Sequence, residues 1–136
     1  MDDRKRYEEG MRVRREVLGN EHVDRALAGT NSLNADFQDF LTRYAWGEVW
    51  SRSGLPRHTR SLVTLALMVA LNRKEEFDMH VHAALRNGVS EAELRELLLH
   101  CALYCGLPSA NSAFHWANEI LTSVSGGLPE PSDAGN

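Results

Sequence analysis

The sequence predicts an all-α domain of six or seven helices, and three observations carry that prediction. Apolar residues recur at three- and four-residue spacings along nearly the whole chain. No stretch alternates apolar with polar residues as a half-buried strand does, and no Asn-Gly turn joins two apolar runs. Stop and start signals, among them Gly19, Ser53-Gly54-Leu55-Pro56, Asn87-Gly88 and Gly106, fall between the periodic segments.

A first helix, about Asp3 to Leu18, is densely charged, with Tyr7, Met11, Val13 and Leu18 as sparse apolar residues. Its arginines are diluted by Glu8, Glu9 and Glu16, so it reads as a solvated face. A short helix, about Glu21 to Ala28, follows with Asn20 as its cap. After the polar break Asn31–Asn34, a longer helix spans about Ala35 to Ser51. The next, about Pro56 to Asn72, is apolar on every side from Leu62 to Leu71 and should be buried all round, at the centre of the domain or in an oligomer. Lys74–Asn87 forms another helix. Ser90 and Glu93 form a capping box for a helix running through Tyr104. Pro108 starts a last helix that ends near Val124. No linker divides residues 1–124, a single domain. Residues 125–136 carry three glycines and two prolines and read as a flexible tail.

The chain has 136 residues, 43% apolar and 25% charged, which is ordinary globular composition. A net charge of −4 argues against nucleic acid as a partner. The longest mostly apolar stretch is far short of the ~20 residues that span a bilayer. The charged N-terminus lacks a secretory signal, so the expected location is cytoplasmic. Cys101 and Cys105 share a helix face but lie too far apart for a bridge, and read as small apolar residues.

Arg73, Glu76 and His80 stand at intervals of three and four, on one face of a helix. Two readings are open. One is a solvated Glu76–His80 pair with Arg73 nearby. The other is an anion clamp, a carboxylate and an imidazole able to move protons near neutrality. His80 and His82 diverge by about 200° on a helix, so they are no metal pair, and no metal is expected. Trp46 and Trp50 form an i,i+4 aromatic pair. Gly47 between them implies close approach by another helix or a ligand. Arg52, Arg57 and Arg60 follow around the next turn, where any could meet a carboxylate. His58 and His22 read as surface residues, His100 and His115 as core histidines.

Several runs together carry a family likeness. Thr59–Leu67, Asn72-Arg73, Glu76, Met79-His80-Val81 and Ala83–Ser90 resemble the carboxymuconolactone decarboxylase family. Arg6–Gly10, Trp46–Trp50 and Tyr104–Pro108 through Asn111 are similar to the members that act on the lactone itself. The resemblance implies an alkyl hydroperoxidase D-like helical fold and a homo-oligomer, a hexamer or trimer of dimers. Redox proteins of that superfamily carry Cys-x-x-Cys-x-x-x-His. With its histidine on His80, the cysteine positions fall on Arg73 and Glu76, and an upstream acidic position falls on Ser61. A thiol peroxidase needs a nucleophilic thiolate and a resolving partner. Only Cys101 and Cys105 remain to serve that alternative, and a non-catalytic binding protein is another.

The activity so implied is loss of CO2 from 4-carboxymuconolactone, giving 3-oxoadipate enol-lactone in the protocatechuate branch of the β-ketoadipate pathway. The electrons left behind flow through the substrate's own alkene to its carbonyl, so no cofactor is expected. The resemblance places catalysis on His80 and Glu76. Either could deliver the proton. Arg73 is the first choice to hold a carboxylate, with Arg52 and Arg60 behind it, and Trp46 and Trp50 as a dry wall.

Overall fold

A computed structural model of the chain describes residues 2–125. The tail read at 125–136 lies, beyond Ser125, outside the described residues. Among the described residues there are helices and no strand. Helix α1 is Asp3–Leu18, capped by the Asp2 carboxylate, which accepts from the Lys5 amide at 2.8 Å. Helix α2 is Asn20–Ala28. Gly19, at φ +92°, precedes it as its cap, so Asn20 is the first helical residue rather than the cap. In the polar break, the Asn31 side chain accepts from the amides of Leu33 and Asn34.

The long helix expected at 35–51 is continuous but not uniform. Ala35–Phe40 is α-helical (α3), and Leu41–Trp50 continues with the wider i→i+5 bonding of a π-helix. Such segments are rare and concentrate at functional sites. This segment packs closely against α1. A Cβ on Gly47 would overlap the Arg6 carbonyl oxygen, and one on Gly10 would overlap the Thr42 carbonyl oxygen. The two backbones touch where both helices carry glycine. Gly47 is therefore explained by another helix. Hydroxyls take up nearby carbonyls: Thr42 Oγ1 donates to Gln38 O at 2.8 Å and Ser51 Oγ to Gly47 O at 2.7 Å.

Helix α4 is Arg57–Ala70, α5 Lys74–Arg86, α6 Glu91–Cys105 and α7 Leu107–Ser125. Asn72, at φ +58°, makes the turn between α4 and α5, a conformation asparagine tolerates. The Ser90–Glu93 capping box forms as expected. The main core joins α4 to α7: Leu65 and Val69 pack with Phe77, Val81, Leu94, Leu98 and Ala113. A second core lies between α1, the π-helical segment and α5: Val13, Val17, Trp46 and Ala83, flanked by Leu18, Leu41 and Trp50.

Helix α4 is not buried all round within this chain. Ser61, Leu65 and Val69 face inward, while Val63, Leu67 and Leu71 are about half exposed or more. His100 and His115 are also exposed, because each lies on the outer face of its helix. The inner faces beside them are taken by Leu98 and Cys101 on α6 and by Ala113 and Ala117 on α7.

Candidate functional site

Helix α5 buries Phe77, His80, Val81, Ala83 and Ala84. His80 is thus the member of the predicted stripe that enters the interior, 9% exposed. The Trp50 ring stacks on its imidazole, with centroids 6.3 Å apart and planes at 12°. Trp46 lies against Trp50 at 5.0 Å and is itself buried among Val13, Val17 and Ala83. Trp50, backed by Trp46, therefore encloses the imidazole from one side.

That enclosure sets its protonation. Burial pushes the His80 pKa down to about 4. Repulsion from His22 adds to this, and Glu76 opposes it. His80 is accordingly neutral at pH 7. Its Nδ1 is buried and has no hydrogen-bond partner. A buried unsatisfied ring nitrogen is costly, and a ligand group would satisfy it.

Glu76 stands one turn before His80, at the edge of the site. Arg73 Nη2 donates to Glu76 Oε1 at 2.6 Å, and this bond holds the Glu76 carboxyl below the usual range. Glu76 is therefore ionised. Arg73 itself is 59% exposed and its pKa is raised by Glu76. It is the cap residue before α5, outside the helical geometry that the three-residue spacing assumed. The stripe thus splits into a buried histidine and a solvated ion pair.

Trp50 and Arg60 line one cavity of about 130 Å³ with Val49, Leu55, Val63 and Thr64. The Arg60 Nε is buried without a hydrogen-bond partner. Arg52 is exposed beyond the end of the π-helical segment. His58 is half-buried, its Nε2 2.8 Å from Glu93 Oε2, so it ties α4 to the start of α6. Cys101 is buried, and burial pushes its thiol up to about 11, far from the thiolate that peroxide chemistry requires. Ser61 is fully buried, with its hydroxyl unpartnered.

Two residues near the site were misread in the sequence. Arg14 is 4% exposed, not solvated, and His22 is half-buried. A usable signal existed: Gly10, Val13, Arg14 and Val17 share one face of α1, and that face is the buried one. Among the described residues, no three His, Cys, Asp or Glu side chains are placed to hold a metal ion.

A buried imidazole stacked under Trp50, next to the Trp46–Trp50 pair, is the candidate site of this all-helical fold. The chain belongs to the carboxymuconolactone decarboxylase family, which it matches over residues 35–119. It is 56% identical over 124 residues to the 4-carboxymuconolactone decarboxylase of Acinetobacter baylyi, covering 91% of this chain and 92% of that protein. It is 44% identical over 110 residues to the nitrosuccinic acid decarboxylase of Metarhizium robertsii, 81% of this chain and 77% of that one. Against a 4-carboxymuconolactone decarboxylase of Pseudomonas putida, identity is 52% over 48 residues, 35% of this chain and all of that one.

Proposed function

We propose that this protein is a carboxy-lyase that converts 4-carboxymuconolactone to 3-oxoadipate enol-lactone. The similarity to the Acinetobacter baylyi enzyme along nearly the full chain supports the substrate. The observation that carries the chemistry is His80, buried under Trp50 with a free ring nitrogen.

The substrate is a dianion whose departing carboxylate is γ to a lactone carbonyl, across a C=C bond. As CO2 leaves, its bonding pair moves through the alkene to the carbonyl oxygen and forms a dienolate. Protonation α to the carbonyl completes the reaction. Binding a dianion raises the pKa of an imidazole beside it. His80, neutral in the free site, then takes a proton from solvent as the dianion binds, delivers it to the α carbon and returns to its neutral form. Glu76, ionised beside Arg73, favours the charged imidazole and repels further anions at the mouth. Arg60, lining a cavity with Trp50, draws the dianion toward the site by its charge. Trp46 and Trp50 keep water from the departing group, which is less stable as an anion in dry surroundings. Arg73 and Arg52, both exposed, serve at the entrance.

We also propose that the working form is a homo-oligomer in the cytoplasm. Val63, Leu67, Leu99, Leu103 and Tyr104 are exposed on α4 and α6, with Leu71 at the end of α4, and exposed apolar residues grouped in this way mark interfaces. A groove of about 600 Å³ runs between these helices, lined by Leu62, Val63, Ala66, Leu97 and Cys101 among others. Copies of this chain are the occupants that fit the resemblance. No described helix is long and apolar enough to cross a membrane.

The test is direct. The lactone is generated in situ from 3-carboxymuconate in D2O, with and without EDTA. The reading expects CO2 release, deuterium at the α carbon, and equal rates in both. No release, or deuterium only at the γ carbon, would count against it.

A further inference from the structure

We propose that Arg14, from α1, is the anchor for the carboxylate that the substrate keeps, its carboxymethyl arm, with His22 beside it. This rests on the decarboxylase reading and extends it to residues outside the 35–119 span that defines the family.

Four observations lead there. Arg14 is buried to 96% by its 4% exposure, yet among the described residues no carboxylate pairs with it. Its guanidinium donates only to neutral oxygens, Thr42 Oγ1 at 3.2 Å and Gln38 Oε1 at 3.0 Å, and Nε donates to nothing. The rest of α1 shows what its arginines ordinarily do: Arg4, Arg6, Arg12 and Arg15 each pair with a carboxylate at the surface. Finally, Val13 and Val17, on the same face of α1 as Arg14, pack on Trp46 and Ala83, and Ala83 lies one turn beyond His80.

An arginine taken out of water without a counter-ion is unfavourable for the fold. Burial lowers its pKa, with repulsion from Arg15 adding to this; burial first, and then the Arg14 charge, lower His22, as burial first and then His22 lower His80. Arg14 keeps its charge while both imidazoles are held toward the neutral form, so it is the cation of the three beside a site for a dianion. An incoming carboxylate supplies the missing counter-charge and accepts from the planar guanidinium in a two-pronged bond. The retained arm is the right partner. A clamp on the departing carboxylate would stabilise the ground state and slow its loss.

The test compares Arg14→Met with Arg4→Met, which removes a surface charge from the same helix. Two measurements are made: KM and kcat with the lactone, and binding of (5-oxo-2,5-dihydrofuran-2-yl)acetate by calorimetry. That probe keeps the arm and lacks the departing carboxylate. Arg14→Met should raise KM roughly 10- to 100-fold with kcat within about threefold, and weaken the probe by the same factor. Its melting temperature should equal or exceed that of the wild type. If the probe binds Arg14→Met as well as it binds Arg4→Met, the proposal is overturned, whatever happens to turnover. Should Arg14→Met fail to fold, Arg14→Lys takes its place: a raised KM and weaker probe binding support the anchor, and unchanged values refute it. A wild type that binds the probe through Arg14 but releases no CO2 would remove the decarboxylase reading and leave the anion site standing.

Discussion

Replacing His80 by glutamine should make the protein less sensitive to acid. The imidazole has an ordinary pKa of 6.5 and is held down to about 4 in the fold by burial, with repulsion from His22. Between those values the unfolded chain binds a proton that the native state refuses. Stability therefore rises with pH across this window and falls as pH drops. The loss begins below about pH 6.5, reaches about 2 kcal/mol at pH 5, and levels near 3 kcal/mol once pH is below 4. Glutamine does not titrate, so this component vanishes in His80→Gln. Urea midpoints at pH 8 and pH 5, taken at one protomer concentration, give the difference between the two proteins. Carboxylates and the other histidines contribute nearly equally to both and cancel. The wild type should lose about 2 kcal/mol more than His80→Gln over that interval. Equal losses would mean that His80 is not buried as a neutral group, and the reasoning about its charge would fail.

Three further outcomes follow from the packing and the chemistry. Gly47→Ala should destabilise the fold by about 3 kcal/mol, because its Cβ overlaps the Arg6 carbonyl. Gly54→Ala, with open space around it, should change thermal stability little. Leu67→Asp combined with Leu103→Asp should shift the protein to monomers in light scattering, since both side chains are more than half exposed on the apolar face. The double variant Cys101→Ala, Cys105→Ser should keep lactone turnover within about twofold, because Cys101 is a buried neutral thiol and the reaction needs no sulfur.

The helices were legible because their limits are set locally. The Ser90–Glu93 box, Gly19 and Gly106 act within a few residues, and each falls at a helix end. The apolar surface of α4 was legible as apolar, but its partner was not, since periodicity cannot say whether the neighbour is this chain or another. The site was half legible. His80 lies in register with Phe77, Ala83 and Ala84 on the inner side of α5, so its spacing was informative. Arg73 precedes the helix, where spacing no longer fixes direction. Arg14 was hidden for a different reason. Composition averages a helix, and a single buried arginine disappears among exposed ones. Only its place between Val13 and Val17, one turn from Gly10, set it apart. The π-helical segment Leu41–Trp50 had no local signal, and the partner its Gly47 accommodates, α1, lies far away in the chain.

The central claim is that the imidazole under Trp50 supplies the proton that traps the dienolate. The most direct measurement is kcat for the lactone in His80→Gln, with folding checked by circular dichroism. Loss of a general acid predicts a fall of roughly 10²- to 10⁴-fold with the substrate still bound. A folded His80→Gln that turns over at the wild-type rate would contradict the account.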